Sequence, residues 1–213
     1  MRAVGSPRAR APPCQIAALA SAIRAGDLGA VEAALSAGGG VVECIGESTS
    51  SVIEAMHAGF GRFVTLLREG AAAGALLEAA EAFRVLAATR GGPLGAVQLN
   101  AAFERRLKRE AGVADRADWY PGRLVMVTAN DYGSRLFNGD IGVTLSDTDG
   151  ELRVFFPPVR AGEPARAFAA GRVPRCESAF ALTVHKSQGS EFREVLIAMP
   201  TAESPMATRE LLY

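Results

Sequence analysis

At 213 residues the chain can bury a substantial core, and its size suits one large domain or two small ones. Apolar residues make up 49% and charged residues 22%, an ordinary globular balance. With 23 basic against 23 acidic residues, the net charge excludes attraction to nucleic acid or an anionic membrane through overall positive potential, and it leaves a local basic groove open.

The N-terminal stretch MRAVGSPRARAPP lacks the apolar centre of a signal peptide and reads as a disordered basic leader over residues 1–13. No later apolar run reaches the ~18 residues that a membrane span needs, so the expected location is the cytoplasm, without membrane contact. Cys14, Cys44 and Cys176 are too widely separated for zinc-finger spacing, and their odd number argues against a disulfide framework. They read as idle thiols in a reducing compartment.

Helices come first. CQIAALASAIRAG sets Ile16, Leu19, Ala20 and Ile23 at helical spacing and ends at Gly26, after which Asp27 is placed to cap a second helix through Ala37. Gly38 to Gly40 stop it, and VVECIG reads as a short strand. Ser51 and Glu54 have capping-box spacing in front of VIEAMHAGFGRFVTLLREG, a helix weakened by Gly59 and Gly61. His57 lies in that helix with no second ligand beside it, and reads as a packed or surface histidine.

FRVLAAT, residues 83–89, is a strand-like run that breaks into RGGPLG before the amphipathic AVQLNAAFERRLKRE. A strand, a Gly/Pro turn and a helix make the kind of junction where α/β folds gather ligand contacts. Arg90 sits on it, readable as a solvated loop arginine or as a contact to a ligand.

From Arg123 the period becomes two. RLVMVTAND, LFNGDIGVTLSD and ELRVFFP are strand-like and are separated by the turn dipeptides Asn138-Gly139 and Asp149-Gly150. They predict a small β-barrel or meander over residues 119–174, with entry and exit close together, and FFPPVRAGEPARAFAAGRVP as its irregular return. Tyr132 and Phe137 are open to a stacking or a core reading. Taken by residues alone, this stretch is a binding or spacer module.

SAFALTV then reads as a strand, HKSQGSEF as the loop at its carboxyl end, and REVLIAMP as another strand. A strand that ends in Gly, small hydroxyl residues and Lys offers groups suited to phosphate oxygens. The phosphate-loop pattern of two glycines followed by Lys and Ser/Thr occurs nowhere in the chain.

TVHKSQGSEF, FNGDIG, FRVLAATRGGPLG and the terminal TRELLY together resemble the RecD family, the alpha subunit of exodeoxyribonuclease V, and related 5′-to-3′ superfamily 1 DNA helicases. The resemblance implies an α/β RecA-like second motor domain over residues 14–118 plus 175–213, with a small Src-homology-type β-barrel inserted at 119–174. It implies that Thr183, His185, Lys186 and Ser187 lie on a single-stranded DNA track, Lys186 being also open to a structural ion pair. Gln188, Gly189, Ser190 and Glu191 would face the nucleotide, Glu191 as acceptor for the ribose hydroxyl, and Arg90 would reach the γ-phosphate as the catalytic contact.

ATP with Mg would be held mainly by a first lobe that this sequence does not contain, with no cofactor bound tightly and no metal site here. The chain ends before the motif that supplies a second-lobe arginine in this family, so the resemblance implies a C-terminal portion of a helicase, inactive alone. Its expected partners are single-stranded DNA, the first lobe and other exodeoxyribonuclease V subunits. The alternatives are a non-enzymatic module binding single-stranded DNA or a subunit, and a portion of a relaxase-type or stand-alone RecD-like helicase.

Overall fold

The computed structural model describes residues 13–36, 48–160 and 162–200. These divide into two units, one within Met1–Ser48 and Pro200–Tyr213 and the other Thr49–Met199. Residues 1–12 of the expected leader, the VVECIG strand with Cys44, the Gly38 to Gly40 stop and the terminal TRELLY lie outside the described residues.

In the first unit, α1 (Pro13–Ala25) and α2 (Leu28–Ser36) are joined by a two-residue turn. Gly26 takes a φ of 72°, the left-handed conformation glycine adopts without penalty, and the Asp27 N–H reaches back to the Ala22 carbonyl at 3.0 Å. Asp27 then caps α2, its carboxylate accepting the Ala30 N–H at 3.0 Å. Both features follow the sequence expectation.

The second unit opens with α3 (Thr49–Gly59), α4 (Gly61–Arg68) and α5 (Ala73–Ala82). The single helix expected from Val52 to Gly70 divides at Phe60, between its two glycines. α3 begins at Thr49, so Ser51 sits inside the first turn instead of ahead of it, and Glu54 pairs with Arg106 at 2.6 Å. The expected capping box therefore does not form. His57 is a part-exposed member of the same ion-pair surface, 3.2 Å from Glu110.

β1 (Phe83–Ala87) is the centre of a three-stranded parallel sheet between β7 (Ala181–Thr183) and β8 (Glu194–Ala198). Val85 stands opposite Ala181 on one side and Leu196 on the other. α3, α5 and α6 (Ala96–Glu110) pack against these strands, giving a parallel α/β arrangement. Phe60 is fully buried at the middle of the core, with the rings of Phe83, Phe103 and Phe180 centred 4.9 to 5.4 Å away. Gly59 admits the Phe83 ring so closely that an added Cβ would lie 2.2 Å from it.

Arg84 is buried within this sheet. Its guanidinium donates to the carbonyls of Ala80, at 3.1 Å, and Ala179, and lies 5.4 Å from the Phe192 ring. Burial lowers its pKa to about 10, while the charge of Glu81 pulls the other way.

The period-two region forms a second, antiparallel sheet. β2 (Leu124–Val127), β3 (Ile141–Ser146), β4 (Leu152–Phe156), β5 (Arg166–Ala169) and β6 (Cys176–Ser178) lie in the order β5-β4-β3-β2-β6. Alternation along β2 serves two cores: Leu124 and Met126 join the main one, while Val125 and Val127 pack with Leu136, Val154 and Phe156. Gly139 and Gly150 take the left-handed φ values of 99° and 81° that their turn dipeptides predict.

Three details differ from the sequence reading. Among the described residues β5 and β6 are unpaired edges, so the sheet is open and no closed barrel forms. The stretch read as an irregular return contains β5, which pairs with β4 from Arg153↔Ala169 to Phe156↔Arg166. The run SAFALTV is not one strand: Ser178 ends β6, which pairs with β2, and Ala181 begins β7, which pairs with β1. β2 and β6 are neighbours, so the first and last strands of the antiparallel sheet do lie side by side.

Tyr132 and Phe137 are not core. They are 77% and 42% exposed, with ring centres 5.9 Å apart on a loop braced by Asp131, which accepts hydrogen bonds from the Gly133 N–H and the Ser134 hydroxyl at 2.9 Å each.

Candidate functional site

Parallel pairing brings the carboxyl ends of β1 and β7 together, as Ala87 opposite Thr183 in the register requires. Beyond β1 the chain folds tightly through Arg90-Gly91-Gly92. The Ala96 and Val97 N–H groups at the start of α6 donate to the Thr89 and Arg90 carbonyls at 3.0 Å. Gly95 is required here, because a Cβ would come within 2.3 Å of the Gly91 carbonyl oxygen. Arg90 thus projects from a fixed turn although its side chain is 68% exposed.

Beyond β7, Val184–Ser187 form a single 3-10 turn, closed by the Ser187 hydroxyl donating to the Val184 carbonyl at 2.8 Å. Gly189 follows with a φ of 84°, and the Ser190 N–H returns to the Ser187 carbonyl at 3.0 Å. His185, Lys186, Gln188, Gly189, Ser190 and Glu191 are exposed and Ser187 is partly so. The exposed segment at the carboxyl end of a strand agrees with the sequence expectation, except that β7 stops at Thr183 and Val184 already belongs to the turn.

Asn100 on α6 holds β7 in place. Its amide nitrogen donates to the carbonyls of Ala181 at 2.8 Å and Ser178 at 3.2 Å, and its oxygen accepts the Ala181 N–H at 2.9 Å. Among the described residues β7 is an edge strand, and this side chain pairs with its edge as a neighbouring strand would.

Between these elements lies a cleft of about 250 Å³ bordered by Arg90, Thr183, Lys186, Glu177, Glu104 and Asn100. Glu177 stands between its two cations, accepting a hydrogen bond from Lys186 and lying 3.6 Å from Arg90. Glu104 is occupied by the Ser178 hydroxyl at 2.7 Å and by Arg123 at 3.6 Å. Of the two readings kept open for Lys186, the ion pair is what the folded chain displays. Arginine, lysine and threonine bordering one opening form a donor set suited to phosphate oxygens.

The sequence-predicted residues do not all meet. Arg90, Thr183 and Lys186 share this cleft, whereas Ser190 and Glu191 border another, of about 360 Å³, with Glu81, Arg84, Asp140, Arg166 and Phe192. His185, Ser187, Gln188 and Gly189 border neither. Asn100 and Glu177 went unnoticed in the sequence, since a lone Asn on an amphipathic helix and a lone Glu before an apolar run carry no spacing signal. Among the described residues no group of His, Cys, Asp and Glu is arranged to hold a metal ion, and no helix is long and apolar enough to cross a membrane.

Residues 178–213 match the UvrD-like helicase C-terminal domain. The chain is 40% identical over 201 residues to the RecBCD enzyme subunit RecD of Mycolicibacterium smegmatis, a match covering 93% of this chain and 34% of that protein. The RecBCD enzyme subunit RecD of Mycobacterium tuberculosis is 38% identical with the same coverage. The ATP-dependent RecD2 DNA helicase of Deinococcus radiodurans is 35% identical over 134 residues, covering 62% of this chain and 18% of that protein. The chain thus spans about a third of the length of the mycobacterial relatives it matches.

Proposed function

The chain is RecD-like, of the superfamily 1 helicase type, and on that premise we propose that it supplies one jaw of a 5′-to-3′ DNA helicase motor, with half of the ATP cleft and half of the single-stranded DNA track. In this reading the parallel sheet and its helices, residues 14–118 and 175–213, are a RecA-like second lobe. Residues 119–174 are an inserted module of the Src-homology type, and β6, just past its end, pairs with its strand β2. The observation that carries the proposal is the convergence of Arg90, Thr183 and Lys186 on one cleft at the carboxyl ends of two adjacent parallel strands.

Thr183, His185, Lys186 and Ser187 contact phosphate and sugar of the strand, contacts that hold position and carry no sequence information. Arg90 reaches a phosphate in the cleft it shares with Thr183 and Lys186, whereas Gln188, Gly189, Ser190 and Glu191 are assigned to the nucleotide by the family resemblance alone, Ser190 and Glu191 bordering the second cleft. Arg90, Thr183 and Lys186 would donate to a phosphate, while Glu104 and Glu177 at the same cleft are already paired with Arg123, Ser178, Arg90 and Lys186; Mg and most of the nucleotide would be held by a first helicase lobe. ATP supplies the transferable γ-phosphoryl group. This chain's residues orient phosphate and offset its charge, which is the protein's main contribution in phosphoryl transfer. The partners are single-stranded DNA, that first lobe and other subunits of a RecBCD-type enzyme, in the cytoplasm.

The test is binding of a fluorescein-labelled oligothymidylate to the purified chain, followed by anisotropy across a salt series. Thr183→Ala and His185→Ala should weaken binding while leaving thermal unfolding unchanged, because they remove phosphate or sugar contacts and no core volume. Equal binding by the wild type and both variants would return HKSQGSEF to an ordinary connecting loop.

A further inference from the structure

Two cations that the proposed function directs to phosphate are both held by a single carboxylate. Glu177 Oε2 lies 3.6 Å from Arg90 Nη1, and Glu177 Oε1 accepts a hydrogen bond from Lys186 Nζ. The three residues come from different places. Arg90 follows β1 and Lys186 follows β7 at the parallel sheet, whereas Glu177 belongs to β6, an edge strand of the antiparallel sheet. Only tertiary packing brings the acid between the two bases, at the border of the cleft that Thr183 also faces.

A carboxylate presents two anionic oxygens on one atom, as a phosphate does, and guanidinium and ammonium groups bind either. The pairs are easily exchanged. Arg90 is 68% exposed, and ion pairs open to water contribute little to stability.

We propose that Glu177 is a built-in stand-in for phosphate, keeping Arg90 and Lys186 converged on the cleft and yielding them to a phosphate that enters it. The inference rests on the reading of this cleft as a phosphate site, and it adds a residue which the motif resemblance does not contain. It also implies that the affinity of the cleft is set by competition. Removing the charge of Glu177 while keeping its shape leaves one acceptor oxygen where Oε1 and Oε2 each held a cation, so the placement of one cation survives and the competing charge does not.

The experiment compares the wild-type chain with Glu177→Gln and Glu177→Ala, folding being checked by thermal unfolding. Glu177→Gln should bind labelled oligothymidylate about three- to tenfold more tightly, the relief expected from two exposed ion pairs. Its salt dependence should steepen by up to about 0.7 in log–log slope for each cation released to the strand. Glu177→Ala, which also loses the placement, should gain less. A parallel titration with ATP and with inorganic phosphate identifies the source. Tightening toward the oligonucleotide points to the DNA backbone, and tightening toward ATP alone points to the nucleotide.

Tightening toward none of these ligands overturns the proposal, as does a gain that persists when Arg90 and Lys186 are both replaced by Ala. Loss of binding in the Arg90→Ala, Lys186→Ala double variant without a gain in Glu177→Gln removes the stand-in role and leaves the phosphate-site reading intact. No change in either variant removes both.

Discussion

Asn100→Ala removes one side chain and should loosen the strand that leads into the candidate site. Asn100 is 7% exposed and Ala181, its partner, 1%. The Asn amide forms three hydrogen bonds, to the N–H and carbonyl of Ala181 and to the carbonyl of Ser178, at 2.8 to 3.2 Å. Each such bond contributes a net of about 0.5–1.5 kcal/mol, and each buried group left without a partner costs about 1–3 kcal/mol. Because α6 stays in place and blocks water from the Ala181 edge, the expected loss is about 3 kcal/mol. With a urea dependence of about 2 kcal/mol per molar, the midpoint should fall by roughly 1.5 M. Trp119, the only tryptophan in the chain, is the fluorescence probe. Native-state hydrogen exchange should accelerate at the Ala181 amide before it does so at Val85 in the sheet centre. Asn100→Asp should be no better than Ala, since a carboxylate cannot donate to the two carbonyls. A midpoint within about 0.3 M of wild type, or unchanged exchange at Ala181, would refute the assignment of Asn100 as the partner of this edge.

Gly59→Ala should destabilise by about 1–3 kcal/mol through overpacking, since the new Cβ would meet the Phe83 ring at 2.2 Å and that ring is locked among Phe60 and its neighbours; urea denaturation reads this directly. For Glu110, burial alone would raise the pKa, but the hydrogen bond from Arg106 and the charges of His57 and Arg68 outweigh it and hold the group below its ordinary value of 4.5. A lowered folded-state pKa stabilises above that ordinary value, and the contribution is lost as pH falls through the lowered one. Glu110→Gln should therefore flatten the acid limb of stability measured by urea midpoints between neutral and acidic pH; an unchanged slope would show that Glu110 is not part of it. The purified chain should release no phosphate from ATP with or without DNA, because it contains no phosphate loop; DNA-stimulated release surviving removal of contaminating ATPases would contradict this.

Local signals were the legible ones. Gly26 followed by Asp27 specifies both a helix stop and the next start through backbone geometry and one carboxylate, and neither needs a distant partner. The junction at Arg90 and the glycine turns at 139 and 150 are legible for the same reason. Ser51 misled because capping-box spacing also occurs inside a helix that begins two residues earlier. SAFALTV reads as one strand because burial and apolar character continue through Ala179 and Phe180, while the change of pairing partner from β2 to β1 leaves no trace in hydropathy. β5 was hidden by its setting, since Arg166–Ala169 alternates only weakly and follows Pro157, Pro158 and Pro164. In the site itself, motif residues could be named in advance, but their division between two clefts and the placement of Glu177 depend on β6 lying beside β2, a long-range pairing.

Only Ala179 and Phe180 separate the last residue of β6 from the first of β7, and both are fully buried. So short a bridge has no slack. Strand residues alternate faces, so inserting one residue here would turn either Glu177 away from the cleft or Thr183 away from its partner Ala87, whichever strand gave way. The antiparallel sheet is consequently joined by only two residues to the strand that carries Thr183, and its edge strand β6 carries the carboxylate between Arg90 and Lys186. A rigid join of this length ties the register of one sheet to that of the other.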